Sequence, residues 1–495
     1  MSKFHSTISR RNFMKGLGLA GAGIGAAAMS APVFHDLDEV TSAPNGKLKR
    51  PWYVKEREIN NPTCEIDFKI MSRMNDNNCL HGDIYAIYSD VSQYRMAKIF
   101  GTNVVANMMN KGSERVNEGI QNNIPGWNLR DAALNHASCY MAPISFVNTG
   151  NNFAGSLNTP STYGVTKWTG TPEENSQMLR SAAKFLGASE VQFGELDSNT
   201  KKLVFNNFII GAKPIVFENV DVGYETDSKF VFPDRQLYVI SVAIQMSKEL
   251  FRHGQSQLRW AANMSRYRQW CVLQNELQGF LTGLGYQAFG YPVTYYGLMP
   301  ALADAVLTGH AEISRNDNVC ISPEFGTVTG YYSLITDLPL APSKPIDAGI
   351  FRFCHTCRKC ADACPKQAIR HDKEPSWDLS PSALDPKKEN VWSTPGKKTF
   401  HTDAGLCMSM WWETSVGCAI CMGTCTFNTN SASVHQLVRS TLSTTPVFNR
   451  FLWQADKTFG YGITADEDKE KWWDYSLPTL GYDTTVTSFD GGYSK

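Results

Sequence analysis

A chain of 495 residues exceeds what one compact core usually holds and points to two or three folded units. Hydrophobic residues make up 42% and charged residues 19%, which excludes a largely disordered chain. Lys+Arg and Asp+Glu both total 47, so there is no basic field for nucleic acid and no acidic tail. Twelve Trp, 19 Tyr and 26 Phe build cores first, and an apolar cofactor or substrate pocket also needs them.

Residues 1–31 read as a leader rather than part of the fold. Ser9-Arg10-Arg11-Asn12-Phe13-Met14-Lys15 precedes a weakly apolar, Gly- and Ala-rich run from Gly16 to Ala28. That is a twin-arginine signal and its apolar region, with a small-residue cleavage site around Ser30 or Ala31. The run is too short and Gly-rich for a spanning helix, which needs ~20 apolar residues. No other segment is long and apolar enough, so membrane attachment is expected only through a partner. The twin-arginine route carries folded proteins, which suits cofactors inserted before export.

Residues 32–50, rich in Asp, Ser, Pro, Gly and Lys, read as a linker. An N-terminal unit, 32–160 with that linker, follows without clear periodicity. Thr171 as N-cap, Pro172 in the first turn and Glu174 in capping-box position start a helix whose apolar residues run from Met178 to Leu186. Val204 to Ile210 and Leu237 to Ile244 are apolar runs of strand type, and Asn275 to Leu284 reads as a second amphipathic helix stopped by Gly285. This alternation predicts an α/β unit over 161–345. There is no G-x-G-x-x-G after a strand and no P-loop, so a nucleotide cofactor has no support.

Eight of the 13 cysteines lie between residues 354 and 425. Cys354, Cys357, Cys360 and Cys364, followed by Pro365, form C-x2-C-x2-C-x3-C-P. Disulfides across such tiny loops constrain little, and zinc sites more often pair two C-x2-C knuckles. The spacing is that of bacterial ferredoxins, whose fourth Cys serves the other cluster. The second set, Cys418-x2-Cys421-x3-Cys425, lacks the usual earlier Cys, since positions 414 and 415 are Thr and Ser. Cys407 is the nearby thiol that can fill the gap. Crossed as in two-cluster ferredoxins, one [4Fe–4S] cluster takes Cys354, Cys357, Cys360 and Cys425, and the other takes Cys364, Cys407, Cys418 and Cys421. The module is expected over 346–430, with a C-terminal wrap over 431–495. Cys64, Cys79, Cys139, Cys271 and Cys320 are scattered and read as ordinary buried thiols.

Several segments together resemble the respiratory reductive dehalogenases of organohalide-respiring bacteria, the chloroethene-type enzymes of Dehalococcoides above all. They are the leader, Pro51-Trp52-Tyr53-Val54-Lys55, Trp168 to Asn175, Thr336 to Pro342, the paired cluster motifs, Pro446-Val447-Phe448-Asn449 and Phe459-Gly460-Tyr461-Gly462. The resemblance implies an α+β protein in which a nitroreductase-like domain holds a base-off corrinoid of the cobalamin type above one cluster. It implies the reaction R–X + 2e⁻ + H⁺ → R–H + X⁻ on an organohalide of the chlorinated ethene or arene type. Electrons are then expected to enter at the outer cluster and to reach cobalt through the inner one. The sequence has no D-x-H-x-x-G to supply a lower cobalt ligand, and neither has the family. A small integral-membrane anchor protein, a membrane electron donor and a place on the outer face of the cytoplasmic membrane are also implied.

The family's proton-donating Tyr lies a fixed distance before a Leu-Gly-Tyr helix end. Leu284-Gly285-Tyr286 places it at Tyr267. The base that relatives carry after an aromatic-Gly pair is missing here, where Phe325-Gly326 is followed by Thr327-Val328-Thr329-Gly330. Arg315 is taken as its substitute, with Arg268 as the other candidate. Two rival functions share part of the pattern. A corrinoid iron–sulfur enzyme that reduces a tRNA base conflicts with the leader and the zero net charge. An exported ferredoxin-type carrier has no use for some 300 residues ahead of its clusters.

Overall fold

The computed structural model describes residues 51–78, 90–139, 141–147, 159–387, 390, 392–428, 433–458 and 461–482. The expected leader, the linker, Cys79 and the pair Phe459-Gly460 lie outside the described residues.

The N-terminal unit is more regular than expected. Helix α1 spans Thr102–Gln121 and helix α2 spans Leu129–Ser138, the latter held by an Asn128/Asp131 capping box. Val105, Met109, Val116 and Ile120 of α1 and Leu129, Ala132, Ala133 and Ala137 of α2 fall at helical spacing, so the period is present in both segments. Gly112 of α1 faces the backbone of Trp412, and a Cβ there would overlap the Trp412 carbonyl.

Helix α3, Pro172–Phe185, forms where its caps place it. Thr171 Oγ1 accepts from Glu174 N at 3.2 Å, and the Glu174 carboxylate accepts from Thr171 N at 2.8 Å. The central sheet has four strands: β1 (Glu190–Glu195), β2 (Tyr238–Gln245), β3 (Ala288–Phe289) and β4 (Thr329–Thr336). Its order is β1-β2-β4-β3 and every pairing is antiparallel, with Thr329 opposite Gln245 and Thr336 opposite Tyr238 at the two ends of the β2–β4 ladder. β2 and β4 are buried along their whole length, so both faces are covered. On one face Ile240, Val242, Ile244, Tyr332 and Leu334 meet Leu179, Ala183, Met264, Tyr267 and Trp270. The alternate residues Val239, Ala243, Tyr331 and Ile335 pack on the other face in two further clusters.

Helix α4 runs from Gln257 to Leu284 between a Ser256 cap and Gly285, which sits at φ +90°. Its 28 residues make it about 42 Å long at 1.5 Å per residue. The expected helix from Asn275 is only its last third, because the earlier turns are buried on most sides and show no polar stripe. Val204 to Ile210 is not a strand. Turns at Thr200–Leu203 and Ile210–Ala212 flank it, and its amides bond to scattered partners, Phe205 N to Leu298 O at 2.9 Å and Phe208 N to Lys213 O at 2.7 Å. Val204, Phe205, Phe208 and Ile209 are buried all the same, so the apolar run reports burial rather than a ladder.

The cysteine-rich segment is built of short pieces, Ile350–Thr356, Lys359–Ala363, helix α5 (Ala404–Thr414) and Ile420–Gly423. Beyond it, helices Ser433–Thr444 and Asn449–Thr458 lead to a 3-10 segment, Asp466–Asp474, that returns to α2. There the Glu470 carboxylate accepts from Gly126 N at 2.6 Å and pairs with Arg130 at 2.7 Å, while Trp473 Nε1 donates to Asp131 at 2.9 Å.

Candidate redox and active site

The described cysteines are all free thiols, and ten of them line two cavities: the eight of the two motifs together with Cys64 and Cys320, which line the larger. Cys354, Cys357, Cys360 and Cys425 line the smaller one, with Cys421 at its edge. Cys364, Cys407, Cys418 and Cys421 line the wall of a cavity of about 460 Å³, within the range of ligand pockets.

The charges acting between the thiols divide them in the same way. Cys354 feels Cys357 and Cys425, and Cys425 feels Cys357. Cys407 feels Cys418 and Cys364, and Cys421 feels Cys418, Cys407 and Cys364. Cys360 and Cys421 are where the sets meet. Burial pushes the Cys407 and Cys425 thiols up to about 12 and raises Cys354, Cys360 and Cys421 further. Converging buried thiols that resist ionisation suit a cationic iron core, which holds its thiolates deprotonated. Among the described residues no three Cys, His, Asp or Glu side chains converge on a single ion. A cubane does not need that convergence, because each thiolate binds a different iron.

Local backbone chemistry aims these groups. Cys354 lies in the last turn of Ile350–Thr356 and Cys357 caps it. In the second loop Ser415, Gly417 and Ala419 all adopt left-handed φ, 57°, 65° and 55°, and so wind the chain tightly around Cys418. Cys418 accepts from Gln255 Nε2 at 3.5 Å, Cys364 from Ala368 N at 3.3 Å and Cys421 from Asn316 Nδ2 at 2.8 Å.

One face of α4 crosses the larger cavity. Arg259, Asn263, Arg266 and Tyr267 line it, spaced so that a single helix side presents them. Arg259 donates to Val416 O, two residues from Cys418. Tyr267 is 4% exposed and packs edge-on against Tyr295 and Tyr332, at 4.9 and 5.9 Å between centroids. Arg266 Nη2 donates to Tyr267 Oη at 2.9 Å, and its guanidinium lies 4.5 Å from the centre of that ring.

Arg315 is not in this group. It is fully buried at the smaller cavity, where its N–H groups donate to the carbonyls of Cys354, His355, Cys357, Arg370 and Asp372. The cation hydrogen-bonded to Tyr267 is Arg266, which sequence reasoning passed over. Adjacent helical residues do not normally face each other. The signal is Gly330 on β4, where a Cβ would come within 2.5 Å of Arg266 Cδ, so the glycine makes room for the folded-back side chain.

The far wall of the larger cavity carries an ion pair, Lys397 with Asp317 at 2.8 Å. Burial opposes the charge on Asp317, but Lys397 and Thr402 N hold its carboxyl below the usual range. Trp392 Nε1 and Tyr332 Oη, buried at the wall, have no hydrogen-bond partner among the described residues. Such atoms fit a polar-edged ligand, and a corrinoid, ringed by amides, is one.

Residues 49–340 match the family described as reductive dehalogenase subunit, and residues 353–428 match the 4Fe-4S double cluster binding domain. The chain belongs to the reductive dehalogenase family. It is an oxidoreductase of that family, and its C-terminal module is of the double-cluster type. It is 31% identical to a chloroethene reductive dehalogenase of Dehalococcoides mccartyi, over 98% of this chain and 99% of the relative. A trichloroethene reductive dehalogenase from another strain of that species is also 31% identical, over 97% and 98%. Among solved structures, the catabolic reductive dehalogenase NpRdhA matches with a TM-score of 0.53 at 16% identity, over 82% of this chain and 49% of that one. A reductive dehalogenase solved in connection with B12-dependent dehalogenation matches at 17% identity and the same TM-score. The chain thus spans about half the length of these solved dehalogenases, and their likeness bears on the fold.

Proposed function

We propose that this reductive dehalogenase is the terminal reductase of an organohalide respiration, replacing a halogen of a chlorinated ethene or arene by hydrogen: R–X + 2e⁻ + H⁺ → R–H + X⁻. The observation that carries the reading is the shared lining of the larger cavity, which holds both Cys364, Cys407, Cys418 and Cys421 and the hydrogen-bonded Tyr267–Arg266 pair. Cys354, Cys357, Cys360 and Cys425 would hold one [4Fe–4S] cluster and the other four thiols the second. The larger cavity would hold the corrinoid. When bound, the clusters supply one-electron transfer and the corrinoid supplies a low-valent cobalt able to reduce a carbon–halogen bond.

The remaining steps belong to the chain. Tyr295 and Tyr332 pack edge-on against the phenol ring, Trp270 stacks on Tyr332, and the phenol is left 4% exposed. Tyr267 Oη holds the proton that the carbon needs once halide has left. Arg266, 2.9 Å away, offsets the negative charge left on that oxygen. Arg315 has no catalytic part in this scheme.

The Ser9 to Lys15 motif supports export by the twin-arginine route. Among the described residues no helix is long and apolar enough to cross a membrane. A small integral-membrane anchor protein then holds the enzyme at the outer face of the cytoplasmic membrane, where a membrane electron donor supplies it. The test is anaerobic reconstitution with corrinoid and a reduced artificial donor, followed by halide assay on chlorinated ethenes and chlorobenzenes. Protein replete in iron and cobalt that releases no halide from either class overturns the reading.

A further inference from the structure

Between the short strands Glu312–Ile313 and Cys320–Ile321 a hairpin loop passes between the two thiol sets. Two consecutive residues of it, Arg315 and Asn316, reach different sets. Arg315 is 0% exposed, and every hydrogen bond it makes goes to a neutral backbone carbonyl: Cys354 and Cys357 at 3.0 Å, His355 at 3.2 Å, Arg370 at 2.8 Å and Asp372 at 2.9 Å. Among the described residues no carboxylate pairs with it. The acidic groups nearest it are the thiols of Cys354, Cys360 and Cys357, which would be anionic only as cluster ligands. A buried guanidinium without a counter-ion is costly, so its surroundings call for an anion in the smaller cavity. Asn316 lines both cavities, and its Nδ2 donates to Cys421 Sγ at 2.8 Å.

A cubane bound by four thiolates is an anion in both redox states. On reduction it takes up one electron and gains one further negative charge, with no bond made and no proton taken. A fixed cation beside it stabilises the reduced state more than the oxidised one, and so does an N–H donated to a ligating sulfur. We propose that Arg315 and Asn316 set the reduction potentials of the two clusters separately. Arg315 raises that of the cluster on Cys354, Cys357, Cys360 and Cys425, and Asn316 raises that of the cluster on Cys421. This rests on the ligand sets proposed above. Neither residue touches substrate; both act through the clusters, and together they order the potentials along the electron path.

The experiment is iron analysis of the anaerobically purified wild type and of Arg315→Gln, Arg315→Lys and Asn316→Ala, followed by dithionite titration monitored by electron paramagnetic resonance. The midpoint of one cluster should fall in Arg315→Gln and stay near wild type in Arg315→Lys. In Asn316→Ala the midpoint of the other cluster should fall while the first stays in place. Unmoved midpoints in iron-replete Arg315→Gln or Asn316→Ala overturn the proposal, as does a shift in Arg315→Lys as large as that in Arg315→Gln. Should Arg315→Gln fail to take up iron, Asn316→Ala decides. A fall confined to one cluster supports the assignment, and joint or absent movement overturns it. A wild type without two cluster signals overturns the two-cluster reading and this proposal with it, whereas two signals with unmoved midpoints overturn the proposal alone.

Discussion

Arg266 donates a hydrogen bond to the phenol of the residue that follows it, Tyr267, at 2.9 Å. The two face the same cavity although they are neighbours in one helix, because the guanidinium folds back over the ring. In the proposed reaction the pair would supply a proton donor and its charge stabiliser from α4 alone. The stretch after Phe325-Gly326 carries Thr327, Val328 and Thr329 and offers no cation of its own.

Tyr267→Phe removes the donated proton and leaves the packing against Tyr295 and Tyr332. Turnover is expected to fall by ~10²–10⁴-fold, the usual weight of a positioned general acid. Arg266→Gln should cost about 10²-fold, comparable to the loss of one charge-stabilising donor, with Arg266→Lys in between. Iron content should be unchanged in all three. Wild-type turnover in Tyr267→Phe under donor-saturated conditions would remove the phenol from the mechanism.

Gly330→Ala tests the same contact from the opposite strand. The new Cβ would come 2.5 Å from Arg266 Cδ and 3.1 Å from Tyr332 Cε2, and the Arg side chain is the part able to yield. Displacing it breaks the bond to Tyr267, so turnover should fall toward that of Arg266→Gln. The double variant Gly330→Ala/Arg266→Gln should be little worse than Arg266→Gln alone. Additive losses in the double variant would show that Gly330 acts elsewhere.

Burial pushes the Asp304 carboxyl up to about 7, with the nearby Ser241 hydroxyl acting against the shift. The folded state therefore keeps a proton that the unfolded chain, with an ordinary carboxyl near ~3.9, gives up. Its contribution is complete below the unfolded value and is lost as pH rises through about 7. Asp304→Asn keeps the shape without the charge. Between about pH 5 and about pH 8 its melting temperature should drop less than that of wild type. Parallel pH dependences for the two proteins would show that Asp304 does not titrate in this window.

Local chemistry was legible in the sequence and partnership across the chain was not. The Thr171–Glu174 capping box, the buried strand from Leu237 and the two cysteine sets depend on residues a few positions apart, and each is read from its own segment. The cysteine-rich module was found by spacing, and a match to the double-cluster domain over residues 353–428 agrees with it. Val204 to Ile210 misled because burial without a ladder looks like a strand. Helices α1 and α2 carry a helical period, Val105, Met109, Val116 and Ile120 in the first and Leu129, Ala132, Ala133 and Ala137 in the second, that the reading of an irregular unit overlooked. Arg315 was assigned to Tyr267 because sequence cannot say which loop a buried arginine enters. Arg266 was passed over for the opposite reason: adjacency in a helix argues against contact, and only Gly330, on a strand far along the chain, permits it.

Cys407 carries the last expectation, since the second thiol set lacks the position a ferredoxin would use. It lies in the second turn of α5, whose Asp403 cap accepts from Leu406 N at 3.0 Å, and it shares the larger cavity's wall with Cys364, Cys418 and Cys421. The thiols that act on it most are Cys418 and Cys364. If it ligates the second cluster, Cys407→Ala should degrade that cubane to a three-iron form, with iron falling below the eight expected of a double-cluster domain. The signal of the cluster on Cys354, Cys357, Cys360 and Cys425 should persist. Dehalogenation with an artificial donor should fall steeply, because loss of a ligand moves the cluster's potential. If Cys407 is instead a structural thiol, the change costs roughly 1 kcal/mol of packing and leaves iron content intact. Iron analysis and electron paramagnetic resonance of the reduced variant separate the two cases, and two unperturbed [4Fe–4S] signals would remove Cys407 from the ligand set.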